Sequence, residues 1–111
     1  MHRDAPVAWV PVCPRSALGA LCAVKAATTP PVAVFDIDGE LYAVSDTCTH
    51  GESSLSEGYV EPDGRVECVA HMAEFSVKTG EALTLPATDD LQTYAVKVED
   101  GMILVAVPQE P

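Results

Sequence analysis

Short apolar and β-branched runs alternate with turn-forming residues along almost the whole chain. Runs of this length, bounded by Gly, Pro and Asp, are the pattern of antiparallel strands. Val7 to Cys13 is the first, and Pro11, which has no N–H for a ladder, places it at a sheet edge. Leu21 to Ala27 is the second run and Val32 to Ile37 the third. Asp38-Gly39 has the chemistry of a two-residue hairpin turn leading into Glu40 to Ser45. Tyr59 to Glu61 and Arg65 to Cys68 flank the turn Pro62-Asp63-Gly64. Phe75 to Val77 and Glu81 to Leu83 flank Lys78-Thr79-Gly80, and Leu91 to Val98 and Met102 to Val107 flank Glu99-Asp100-Gly101. No window sustains a helical period, although Asp89 to Gln92 is expected to form one short helical turn. Closely spaced short strands of this kind predict an all-β fold, an antiparallel β-sandwich or small barrel.

The stretch with least strand character is Asp46 to Ser56, which is polar and contains Cys48. Loops of this type, held on a rigid β scaffold, are where function tends to sit. With 111 residues and 48% hydrophobic content, the chain can bury a core without disulfide staples, and it reads as a single domain over residues 1–111. The tail Pro108 to Pro111 is expected to fray.

Charge narrows the choice of partners. Six basic residues against seventeen acidic ones give a net charge of −11. Such a surface repels nucleic-acid phosphates and anionic headgroups, so neither nucleic acid nor membrane is an expected partner. It steers toward basic surfaces instead, although on charge alone simple solubility is the better account. The longest apolar run, Ala17 to Val24, is too short to span a bilayer. Asp4, Pro6, Pro11 and Pro14 make a poor leader, Leu21 does not suit a lipoprotein-type site before Cys22, and no twin-arginine pair is present. The chain is therefore expected to be cytoplasmic. Thiols stay reduced there, and four cysteines suggest metal ligation before disulfides.

Two motifs carry that chemistry, Cys48-Thr49-His50-Gly51 and Cys68-Val69-Ala70-His71, with seventeen residues between His50 and Cys68. Each supplies one thiolate and one imidazole where a strand gives way to a loop, so two loops can close on a metal centre from opposite sides. In a two-iron cluster Cys48 and Cys68 would hold one iron, and His50 and His71 the other. A structural zinc site could use the same four residues, but zinc motifs usually pair like ligands within each loop. Four ordinary core or loop side chains would have no reason to place two of the three histidines beside cysteines; the third is His2.

C-x-H, seventeen residues, then C-x₂-H resembles the Rieske [2Fe–2S] signature. The resemblance extends from the amino-terminal strands with Trp9, through the Cys-Thr-His-Gly loop and Ser54-Leu-Ser-Glu-Gly-Tyr59, to Phe75–Gly80 and the strand Leu91–Val98. The chain is similar to the Rieske-type ferredoxins of bacterial aromatic-ring-hydroxylating dioxygenase systems, such as those acting with biphenyl and naphthalene dioxygenases. The resemblance implies an all-β domain with one [2Fe–2S] cluster at one tip, capped by two loops, and the histidine edges near solvent. It also implies an electron carrier, with a flavin-dependent NAD(P)H reductase and a terminal Rieske non-haem iron oxygenase as partners. An oxygenase needs a further iron held by two histidines and a carboxylate. With His50 and His71 committed, only His2 remains, so this chain is expected to be a monomeric shuttle and not the enzyme. Two alternatives remain open: a fixed small subunit of an enzyme such as assimilatory nitrite reductase, or a zinc-stabilised interaction module.

Departures from the wider Rieske pattern carry information. Respiratory and photosynthetic Rieske proteins have an extra cysteine in each cluster loop, whereas Gly51–Ser54 and Val69-Ala70 contain none. Those proteins also set Ser and Tyr hydroxyls against the cluster two and four residues after the second histidine, where Ala73 and Phe75 stand here. Fewer donors to sulfur destabilise the reduced state, so a low potential is expected. Met72 replaces the glycine often found after the second histidine. Cys13 and Cys22 are expected to be small core hydrophobes on the first two strands. Seven acids (Asp46, Glu52, Glu57, Glu61, Asp63, Glu67 and Glu74) crowd residues 46–74 against Arg65 alone. They suggest a docking face, with Glu52 and Glu74 closest in sequence to the two histidines.

Overall fold

Val32 to Ile37 reads Val-Ala-Val-Phe-Asp-Ile, and all six residues are buried. A strand apolar on both faces must be covered on both faces, and the rest of the chain supplies the two covers. The computed structural model describes residues 7–28, 30–48, 53–68, 73–84 and 89–108. Its strands are β1 (Val7–Pro14), β2 (Ala23–Ala26), β3 (Val32–Ile37), β4 (Glu40–Ser45), β5 (Tyr59–Val60), β6 (Arg65–Glu67), β7 (Glu74–Ser76), β8 (Thr93–Tyr94), β9 (Val96–Glu99) and β10 (Met102–Pro108). They form three antiparallel sheets, ordered β1-β10-β9, β2-β3-β4-β8 and β5-β6-β7. Single 3₁₀ turns occupy Arg15–Ala17 and Leu55–Glu57. The fold is the all-β arrangement that the strand pattern predicts.

The β2-β3-β4-β8 sheet is the middle layer. Val32 and Val34 on one face of β3 pack with Ile103, Val105 and Val107 of β10. Ala33, Phe35 and Ile37 on the other face pack with Val66, Phe75 and Val77 beside the β5-β6-β7 sheet. Asp36 interrupts the apolar run, and it is paired: Arg15 Nη2 lies 2.7 Å from its Oδ2, and the Gly39 N–H donates to its Oδ1 at 3.0 Å. Asp38 and Gly39 both take positive φ (55° and 87°), as the expected two-residue hairpin requires. β1 lies at an edge, with a register shift between Pro11 and Cys13, where proline is best tolerated.

Several boundaries differ from the sequence reading, in each case because contacts between segments prevail over local preference. The run Leu91–Val98 is two strands: β8 pairs with β4, the chain turns at Ala95, and β9 pairs with β10. It switches sheets so that each half meets a buried neighbour. Asp89–Gln92 forms no helical turn, because the Leu91 N–H donates to Gly80 O at 2.6 Å and Gln92 O accepts from the Ser45 N–H at 2.8 Å. Glu81–Leu83 makes only the bridge Phe75–Ala82; on its other side the Ala82 N–H is taken by Asp90 Oδ1 at 2.9 Å. Leu21 and Cys22 precede β2 in a turn where Leu21 has φ 57°. Cys22 is therefore exposed and off the strand, contrary to the core position expected of it, whereas Cys13 is half-buried on β1 against the core. Pro108, expected to fray, pairs with Val7, while residues 109–111 lie outside the described residues. Among the described residues no helix is long and apolar enough to cross a membrane.

Two glycines separate backbone strain from collision. A Cβ at Gly39 meets nothing within 4 Å, so Gly39→Ala carries only the left-handed penalty, about 1–2 kcal/mol, or a melting-point loss of some 4–15 °C. A Cβ at Gly58 collides with the carbonyl oxygen of Glu67, immediately before Cys68, so backbone must shift. Thermal unfolding followed by circular dichroism should show the larger loss for Gly58→Ala; equal losses would show that β5 and β6 separate at little cost.

Candidate metal centre

Cys48 and Cys68 each stand just past the end of a strand, β4 and β6 respectively. Each has its backbone N–H bonded to a carbonyl five residues on, Cys48 to Ser53 O at 3.0 Å and Cys68 to Ala73 O at 2.8 Å. Both are buried, at 1% and 0% exposure, and both belong to the apolar cluster of Leu55, Val66, Ala73 and Phe75. The structure thus brings the two expected thiol ligands to one buried region, at the bases of two segments of equal span. His50 and His71 lie within residues 49–52 and 69–72, outside the described residues, as do Glu52 and Met72.

The first segment is held by a residue that the sequence reading placed on the surface. Asp46 is 1% exposed and takes hydrogen bonds from Ser54 Oγ at 2.5 Å and the Ser56 N–H at 2.9 Å. Its own carbonyl accepts from the Leu55 N–H at 2.6 Å, and the bridge Thr47–Ser54 continues the closure. Asp46 is therefore not part of any docking face. The signal was an aspartate at the end of the apolar strand Ala43-Val44-Ser45, followed by serines at 54 and 56 that could return to it.

The other acids divide by environment. Glu57, Glu61 and Asp63 are exposed. Tyr59, Glu67 and Glu74 form one row across β5, β6 and β7, with Tyr59 opposite Glu67 and Glu67 opposite Glu74. Tyr59 is 66% exposed. Arg65 reaches Asp63 at 2.9 Å and Glu74 at 3.4 Å, and the Asp63 carboxylate, with Glu74 and Glu61 behind it, raises the guanidinium's pKa. Glu67 has no cation beside it among the described residues, although like charges directly opposite each other on adjacent strands repel.

The family model of the Rieske [2Fe–2S] domain matches residues 8–95. The chain belongs to that family. This Rieske domain is 52% identical over 87 residues to the 3-phenylpropionate/cinnamic acid dioxygenase ferredoxin subunit of Escherichia coli (strain K12), covering 78% of this chain and 82% of that protein. Its fold matches a chain in the complex of reduced oxygenase and oxidized ferredoxin of carbazole 1,9a-dioxygenase, with a TM-score of 0.84, 34% identity and coverage of 93% and 96%. It also matches the Sphingomonas yanoikuyae B1 ferredoxin, with a TM-score of 0.84, 29% identity and coverage of 91% and 100%. The cofactor of this Rieske domain is a [2Fe–2S] cluster. The described donors fit it: two thiols belong to one buried apolar cluster, which favours thiolate–metal bonding over solvation.

Ala73 and Phe75 are both fully buried beside Cys68, and neither carries a hydroxyl. The midpoint potential should therefore lie at the low end of the Rieske range, roughly −150 mV. Ala73→Ser and Phe75→Tyr should each raise it, as read by redox titration of the visible spectrum. A wild-type midpoint well above zero at neutral pH would show that missing hydroxyl donors do not set the potential here.

Proposed function

We propose that Cys48, His50, Cys68 and His71 hold the cluster, Cys48 and Cys68 on one iron and the two histidines on the other. The protein then works as a monomeric, cytoplasmic ferredoxin. It carries single electrons from a flavin-dependent NAD(P)H reductase to a terminal Rieske non-haem iron oxygenase of an aromatic-ring dioxygenase system. The observation that carries this reading is the convergence of Cys48 and Cys68 in one buried cluster, each at the base of a segment containing a histidine. The bound cluster supplies reversible one-electron chemistry. The chain's own part is to hold and shield it: Leu55, Val66, Ala73 and Phe75 keep water from the thiolate side. No substrate transformation is assigned to the chain, since His2 alone cannot build a second iron site. Relatives that are dioxygenase ferredoxins favour the shuttle over a fixed nitrite reductase subunit, and membership of a [2Fe–2S] family argues against the zinc module.

The ligand assignment predicts a red-brown protein with two irons and two acid-labile sulfides per chain. His50→Ala and His71→Ala should each abolish the Rieske spectrum; a colourless protein holding one zinc would overturn the assignment.

Docking follows from the acids that remain at the surface once Asp46 is removed from the set, exposed at Glu57, Glu61 and Asp63 and half-buried at Glu67 and Glu74. The row Tyr59, Glu67 and Glu74 directly adjoins Cys68 and Ala73, and suits a basic partner surface. Charge pairing of this kind raises encounter rates more than final affinity. It is screened as the Debye length falls from about 10 Å at 0.1 M salt to about 3 Å at 1 M. Electron transfer from the reductase, followed by stopped-flow absorbance, should slow with salt and slow further in Glu67→Lys. Glu99→Lys, on β9 in a different sheet, is the control. Rates that are flat with salt, and equal in both variants, would mean that docking is apolar.

A further inference from the structure

Asp46 presents a problem of charge as well as of position. A carboxylate buried to 1% exposure is costly unless hydrogen bonds and a counter-charge compensate it. The hydrogen bonds are present: Oδ2 accepts from Ser54 Oγ at 2.5 Å and Oδ1 from the Ser56 N–H at 2.9 Å. The backbone adds two more, from the Asp46 N–H to Pro31 O at 3.0 Å and from the Leu55 N–H to Asp46 O at 2.6 Å. The counter-charge is poor. Lys25 Nζ lies 3.8 Å from Oδ2, beyond hydrogen-bond length, and its side chain is 52% exposed. Water competes for that ammonium, so it neutralises the carboxylate only in part.

We infer that Asp46 is a positioning residue that also sets the potential: it locks residues 54–56 against the base of the segment carrying Cys48 and His50, and its incompletely neutralised charge opposes reduction of the cluster. The inference rests on the ligand assignment above. Reduction adds one negative charge to a cluster bound two residues along the chain. A fixed like charge in a low-dielectric interior disfavours that addition and lowers the midpoint potential. Lys25 acts in the opposite sense, raising the potential by partly cancelling Asp46. A purely structural clamp would predict no such opposition of signs.

Four holoproteins separate the two roles: the wild type, Asp46→Asn, Lys25→Gln and Ser54→Ala. Asparagine keeps the shape; its carbonyl oxygen can still accept from the Ser56 N–H, and its amide can donate to Ser54 Oγ. Redox titration should give a midpoint above wild type for Asp46→Asn and below wild type for Lys25→Gln. Ser54→Ala, which keeps the charge and loses a bond, should stay near the wild-type potential but bleach sooner on heating. An unchanged or lowered potential in Asp46→Asn, or a raised one in Lys25→Gln, would overturn the inference. If Asp46→Asn loads no cluster, the sign of the Lys25→Gln shift decides alone, since that side chain is half in solvent. A wild type with the Rieske spectrum and unmoved potentials removes this inference only; a wild type without that spectrum removes the ligand assignment with it.

Discussion

Burying β3 on both faces is the constraint from which the rest of the architecture follows. A strand of six consecutive buried residues has no solvent side, so one sheet must cover Val32 and Val34 and another Ala33, Phe35 and Ile37. The β1-β10-β9 sheet, with seven- and eight-residue strands, can stand as one cover on its own ladders. The β5-β6-β7 sheet cannot, because its strands are two or three residues long. Its position depends on Val66, Phe75 and Val77 being driven against Phe35 and Ile37. Each such side chain contributes about 1.5–3 kcal/mol on full burial.

That dependence explains why the cysteines sit where they do. Cys48 leaves the middle sheet and Cys68 leaves the small one, so ligands on both would tie together the two layers that short ladders hold only weakly. Metal binding free energy is then also folding free energy for the small sheet. The same placement would set the surroundings of a cluster held by these two cysteines. Residues that must be apolar to dock the small sheet, Ala73 and Phe75 among them, are the ones lining Cys68, so a hydroxyl-poor environment is a consequence of how the layers pack.

Most of this was legible from period and turn chemistry, because the strands that matter most carry strong local signals. Val32–Ile37 and Glu40–Ser45 with Asp38-Gly39 between them have the predicted bounds in the structure. The two motifs stand out because thiol and imidazole at fixed spacing have few other uses, and the family match supports the [2Fe–2S] cluster they implied, while the four ligands themselves are the proposal made above. The sheet switch at Ala95 was not legible: Leu91–Val98 is locally one good strand, and only the presence of two different neighbours, β4 and β10, divides it. Cys22 failed for the reverse reason. Apolar neighbours suggested burial, but Leu21 at positive φ turns the chain outward before β2 begins.

Asp46 shows most clearly what composition hides. The net charge of −11 treats seventeen acids as equivalent, yet they do at least three different things. Asp36 is neutralised by Arg15 at 2.7 Å and fixes the start of the β3–β4 hairpin. Asp46 is buried with a counter-charge at 3.8 Å and faces neutral donors on the far side of a loop. Glu67 and Glu74 stand opposed on neighbouring strands, and Arg65 pairs with Glu74 and Asp63 but not with Glu67. A pair of opposed carboxylates costs stability in the free protein. A partner cation seated between them would relieve that repulsion, so binding would gain from a strain the isolated fold already carries. The half-buried pair beside Cys68 is therefore well matched to a transient basic contact.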